Sequence, residues 1–293
     1  IYYAGDFYDI TPIDPDREQT GADITTTTGS TTVTITTAAP HELEIGDLTT
    51  FENAGSFTSP DTDYVAADFD DVLFEVRTVP SSTTFTIIMP TAETGTGVTN
   101  DGTLDVLPYI AIGNAVAVGA FGWGAGRWGA STWGTPRTTA NATLDPGSWS
   151  LDNFGQKLIA TVHNGRSFEW DPIAVSGSAL TTRATSISNN PRRSVMSIVS
   201  DRDRHLIQLG TETTIGTPST QDKMFIRFSD QENITVYEPT SVNTAGTFRI
   251  DNGSKIVGAA KGKDYILILT DTSAYVMQFV GAPFTFSIRQ VVS

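Results

Sequence analysis

MFIRFSDQENITVYEPTSVNTAGTFRIDNGSKIVGAAKGKDYILILTDTSAYVMQFVGAPFTFSIRQ, residues Met224 to Gln290, decides the fold. It is a train of short runs (MFIRFS, KIVGAA, YILILT, AYVMQFV, FTFSIRQ), each bounded by Gly, Asp, Asn or Pro. Alternation at every second residue, with β-branched and aromatic side chains between turn formers, specifies strands, and no amphipathic helical run of useful length interrupts them. LIQLG (Leu206–Gly210), just upstream, reads the same way. The segment is all-β and its strands come as hairpins.

The layout recurs further out. Lys157–Trp170 (KLIATVHNGRSFEW) and Tyr265–Phe279 (YILILTDTSAYVMQF) both run from an apolar strand through a polar turn to an aromatic-bearing strand. The first turn holds Asn164-Gly165, a pair that accepts the positive φ angles of a tight hairpin. Four-stranded units recurring roughly every 40–60 residues are what propeller blades leave in a sequence. The expected fold is therefore all-β, a β-propeller-like body with an inserted small β-barrel or sandwich domain.

Composition marks the insert. Residues 1–100 carry 17 acidic and 2 basic residues, whereas 101–293 carry sixteen of each, so the whole net charge of −15 sits in the first third. From Gly21 to Asn100, 21 of 80 residues are threonine and Arg77 is the sole base. STTVTITT (Ser30–Thr37), DVLFEVRTV (Asp71–Val79) and TTFTIIM (Thr83–Met89) read as strands, with Ile45-Gly46-Asp47 as a turn. The predicted organisation is residues 1–20 as the first, single aromatic strand of the body, 21–100 as the inserted domain and 101–293 as the rest of the body.

Several function classes are disfavoured. There are no cysteines, so neither disulfides nor thiolate metal sites form. An acidic segment repels phosphate backbones and the balanced remainder has no basic stripe, which argues against tight DNA binding. A surface that lets DNA slide past without sticking has the same character. Nothing like a signal peptide stands at Ile1, and the chain reads as a processed or partial product. Tyr109–Gly126 is uncharged, but its five glycines make it a buried strand and loop rather than a membrane helix, so no stable membrane insertion is expected.

Candidate sites are few. FGWGAGRWGASTWG (Phe121–Gly134) spaces Trp123, Trp128 and Trp133 five apart in a glycine background, and these read as core or subunit-interface groups rather than a sugar platform. Gly124–Gly129 matches G-x-G-x-x-G without the helix that a dinucleotide site requires. Arg192, Arg193, Arg202 and Arg204 form a dense basic cluster suited to an acidic neighbour. His41, His163 and His205 show no short-range pairing, and Asp61, Asp63, Asp68, Asp70 and Asp71 fit no ordered calcium loop. Asp230 with Glu232, and Asp201 with Asp203, are carboxylate pairs two residues apart that a β-propeller glycan depolymerase could use, although the boxes that punctuate sialidase propellers are missing. No catalytic, metal or cofactor site is expected.

The chain resembles the tail-hub or nozzle proteins of short-tailed bacteriophages, also called DNA-stabilisation proteins. The residues carrying the resemblance are GDFYDITPI (Gly5–Ile13), GWGAGRWGASTWG (Gly122–Gly134), LDNFGQKLIA (Leu151–Ala160), DRHLIQLG (Asp203–Gly210), Ile226–Ile250 and Gly258–Arg289, all in one order. The insert resembles small β domains of phage virion proteins, through HELEIGD (His41–Asp47) and FEVRTVPSSTTFTI (Phe74–Ile87). What this implies is a virion protein that forms a ring, in that family a hexamer, below portal and adaptor. Its lumen would pass the double-stranded DNA genome, and its surfaces would take fibres or spikes and a closing needle or plug. Two other classes stay open: a receptor- or glycan-binding tail protein, and the depolymerase.

Overall fold

The computed structural model describes residues 2–3, 5–55, 57, 64–95, 102–110, 148–172, 183–281 and 284–292. The chain divides into two compact units, Thr11–Ala111 and a body made of Ile1–Ile10 with Ile112–Ser293. The described residues are all-β: strands, turns and two short 3-10 turns.

The body opens with a hairpin, β1 (Tyr2–Tyr3) against β2 (Asp6–Phe7), where a single strand was expected. The reason is Gly5, whose φ of +104° reverses the chain at no steric cost.

The Thr11–Ala111 unit is one seven-stranded antiparallel sheet curled around its own core. Its strands are β3 (Gln19–Thr25), β4 (Thr32–Thr36), β5 (Leu48–Glu52), β6 (Phe74–Glu75), β7 (Thr78–Ser81), β8 (Thr84–Ile88) and β9 (Leu104–Pro108). Their order is β6-β5-β9-β3-β4-β8-β7. Ile24, Val33, Ile35, Phe51, Phe85, Ile87, Leu104 and Val106 fill the interior, while the intervening threonines of β4 face outward as period-2 alternation requires.

DVLFEVRTV, read as one strand, is two. Val76 donates its N–H to Asp47 O on the β5 side, while Arg77 donates to Thr86 O on the β8 side, so the chain crosses from one sheet edge to the other between adjacent residues. The unit's two ends are zipped together: Ile13 faces Tyr109, and Arg17 binds Asp14 (2.9 Å), Asp47 (2.7 Å) and the Tyr109 carbonyl (2.9 Å). The composition shifts at Gly21 and Asn100 fall inside this unit's sequence bounds, Gly21 within β3 and Asn100 before β9.

The remaining strands form three four-stranded meanders in strict chain order, the blades of a propeller-like body. The first blade is β10 (Trp149–Phe154), β11 (Lys157–Val162), β12 (Ser167–Trp170) and β13 (Thr185–Ser186). The second is β14 (Met196–Val199), β15 (Leu206–Leu209), β16 (Phe225–Phe228) and β17 (Gly246–Arg249). The third is β18 (Ile256–Lys261), β19 (Ile266–Thr270), β20 (Ala274–Gly281) and β21 (Thr285–Val292).

The second blade is buried on both faces, one wholly apolar and the other mixing polar groups with an apolar patch of Val199 and Leu206 against Ile159. One face presents Ile198, Ile207, Leu209, Ile226 and Phe228 to Ile256, Ile268, Met277 and Phe286 of the third blade, in one apolar core. The other presents Ser197, Gln208 and Arg227 to the first blade, where Thr161 and Ser167 wait for them. Trp170, on the far face of the first blade, packs against Tyr3 and Tyr8 from the N-terminal segment.

Candidate functional site

The leading strands of the blades, β10, β14 and β18, are neighbours. Val199 donates its N–H to Asp152 Oδ2 (2.7 Å) and Ser197 its N–H to Ser150 Oγ (3.1 Å), which sets the first blade's register on the second. Lys261, the last residue of β18, donates from Nζ to Asp152 Oδ1 (2.7 Å) and Asp201 Oδ1 (2.6 Å). One ammonium therefore ties all three blades. Burial opposes its charge, but the two carboxylates outweigh that and raise its pKa above the ordinary lysine value.

The seam between the first two blades is a buried polar network. Thr161 Oγ1 reaches Ser167 Oγ (2.7 Å) and Ser197 Oγ (2.6 Å), and Gln208 Nε2 donates to Ser167 Oγ (2.9 Å). Asn190 Nδ2 donates to the Tyr237 hydroxyl (2.8 Å), and Arg227 donates to the carbonyls of Thr213 (2.8 Å) and Tyr237 (3.3 Å). Burial raises the Tyr237 pKa and lowers that of Arg227, the Arg227 effect being opposed by Glu238 and Glu212. Such directional bonds fix one arrangement of two sheets where apolar contacts alone would tolerate sliding.

Where this seam reaches solvent there is a groove of about 460 Å³, lined by Phe154, Lys157, Glu169, Arg204, Glu232 and Asn233 among others. Its charges are matched within the chain: Lys157 with Glu169 at 2.7 Å, Arg204 with Glu232 at 2.8 Å.

The apolar seam on the other side holds one buried histidine. His205 sits among Phe228, Phe279 and Phe286, and its Nε2 lies 3.1 Å from Thr244 Oγ1. The Thr244 hydroxyl gives its proton to Asp230 Oδ1 (2.7 Å), so Nε2 must be the donor and Nδ1 the bare acceptor. Among the described residues that buried Nδ1 has no partner. Burial pushes the His205 pKa down to about 4, against the pull of Asp230. Asp230 itself lies below the usual carboxylate range: its burial opposes this, but hydrogen bonds from Thr244 and the Gln231 N–H prevail.

Three of the four carboxylates marked as pairs in the sequence have partners elsewhere. Asp230 is held by Thr244 and Glu232 by Arg204, while Asp201 is held by Lys261. Asp203 Oδ2 is buried with no hydrogen-bond partner among the described residues, and burial raises its pKa. Arg192 and Arg193 precede β14, and Arg202 and Arg204 follow it. Arg202 lies over the Phe279 ring at 6.0 Å.

Trp123, Trp128, Trp133, the Gly124–Gly129 match, Asp61 and Asp63 lie outside the described residues. Asp68 accepts from Val65 N–H and Asp70 from Ala54 N–H, both as turn-stabilising groups. His41 Nδ1 accepts from Leu43 N–H inside the curled sheet. Among the described residues, no three His, Asp or Glu side chains gather as a metal ion would need, and no helix is long and apolar enough to cross a membrane.

Asp152, Lys261 and Gln208 were missed in the sequence. Asp152 stands in a leading strand and Lys261 ends one, so aligning the blades by their leading strands would have placed both at the body's inner edge.

No protein-family model matches the chain, and no curated sequence matches it. Among solved structures it is similar to the phage phi92 endosialidase, with TM-score 0.25 and 16% identity over 94% of this chain. The chain spans 39% of that protein's length. At that TM-score the likeness carries no argument about fold, activity or substrate.

Proposed function

We propose that the protein is a structural component of a short-tailed phage virion. In this reading it forms a ring, of hexameric type, below portal and adaptor, which conducts and retains the DNA and offers attachment surfaces for fibres or spikes and for a needle or plug. The observation that carries the reading is where the blocks that resemble nozzle proteins fall. Leu151–Ala160 covers the β10–β11 hairpin, Asp203–Gly210 covers β15, and Ile226–Ile250 with Gly258–Arg289 runs from β16 to β21. These are the strands of the three cross-braced blades, and a conduit wall needs such rigidity.

Charge supports the same reading. The body carries sixteen acidic and sixteen basic residues, and the Thr11–Ala111 unit carries 17 acidic and 2 basic, a balance that lets DNA pass without capture. Measuring affinity for a duplex at physiological salt tests this. Binding weaker than about 10 μM is expected, in the range of non-specific contacts. A submicromolar dissociation constant would contradict a passive conduit.

A further inference from the structure

The Thr11–Ala111 unit has an open seam that nothing in the ring reading uses. Its curled sheet ends at β6 on one side and β7 on the other, and β7 covers β8 only as far as Thr86. Beyond that point lies a groove of about 530 Å³, within the range of about 300–1,000 Å³ typical of ligand clefts. Val72 and Leu73, leading into β6, form one wall, and Ile88 and Met89, leaving β8, form the other, with Tyr64 and Pro90 between them. Leu73 is 48% exposed, Ile88 42% and Val72 37%, an apolar strip at an open sheet edge.

Among the described residues the backbone there is unpaired as well. Ile87 pairs with Val33, and Met89 donates its N–H to Thr31 O, so these residues turn their polar groups toward β4. In an antiparallel ladder the intervening residue points the other way. The N–H and C=O of Ile88 therefore face the groove, and no described residue pairs with them. An exposed edge flanked by apolar side chains is the arrangement that accepts an added strand.

Charge identifies the occupant. The unit has 17 acidic against 2 basic residues. Asp68 lines the groove, Asp71 precedes Val72, and Glu75 follows on β6. A nucleic acid or an anionic membrane is repelled by such a field, and a cationic chain is drawn to it.

We propose that this seam is a docking edge for an extended segment of a partner protein in which apolar residues alternate with lysine or arginine. The segment pairs with the Ile88 backbone, lays its apolar side chains against Val72, Leu73 and Ile88, and directs its cations to Asp68 and Asp71. The inference is independent of the ring reading.

The test uses the full chain and a fluorescent alternating Lys–Val heptapeptide, read by polarisation at physiological salt. Saturable binding is expected. Ile88→Lys should weaken it at least about tenfold, and so should N-methylation of the peptide's central amide with the wild-type protein, whereas Ile45→Lys, an equal charge change at an exposed side chain elsewhere in the unit, should change it less than about twofold. The methylated peptide keeps the test decisive if the Ile88 variant folds poorly. Absence of binding, equal losses in the Ile88 and Ile45 variants, or indifference to methylation would each overturn the proposal.

Discussion

A single buried imidazole shows how the fold couples to solution conditions. His205 folds with its pKa lowered from 6.5 to about 4, so the unfolded chain takes up the proton first as pH falls. Its stabilisation is complete above pH 6.5 and is lost between 6.5 and about 4, by about 3 kcal/mol in all. Denaturant unfolding at pH 7 and pH 4.5 should therefore show a steeper acid loss for the wild type than for His205→Gln. Equal pH dependence would mean that the ring is not held neutral by its phenylalanine cage. Lys261 acts at the same scale. Lys261→Met leaves Asp152 and Asp201 facing each other without their shared cation and should cost about 1–2 kcal/mol, a modest figure because the group is partly solvated. In a double-mutant cycle with Asp152→Asn the losses should be less than additive; full additivity would show that the pair is not coupled.

Among elements, the hairpins were the legible part. Lys157–Trp170 and Tyr265–Phe279 are β11–β12 and β19–β20, because strong period-2 runs flanking a turn former need no tertiary information. The four-residue strand β14 was not legible, since Met-Ser-Ile-Val gains its strand character from β10 and β15 on either side. The split of Asp71–Val79 into β6 and β7 was also hidden: local alternation is unbroken, and only the two opposed hydrogen bonds of Val76 and Arg77 reveal the crossing. The second and third blades share one apolar seam, with Phe228 and Phe286 in edge contact at 4.9 Å. Phe286→Ala should destabilise the body by about 3–5 kcal/mol, whereas Leu151→Ala, at a side chain 63% exposed, should cost under about 1 kcal/mol. Comparable losses at both positions, measured by urea unfolding, would contradict the placement of this core.

For the whole molecule, the proposal of a ring-forming conduit rests on the blades, the charge partition and the order of the blocks that resemble nozzle proteins. The leading strands are locked together by Lys261, and the seams are fixed by apolar packing on one side and polar bonds on the other. The acidic unit contributes a different surface, whose docking chemistry is separable from assembly. Heterologous contacts between copies close into a ring only if each joins the next by the same rotation, so symmetry is the property that the proposal cannot do without. The most direct measurement is electron microscopy of the purified protein with its adaptor. The account predicts a six-fold ring with a central hole. A monomer, or a peripheral trimer without a lumen, would contradict it and shift the reading to a receptor-binding protein.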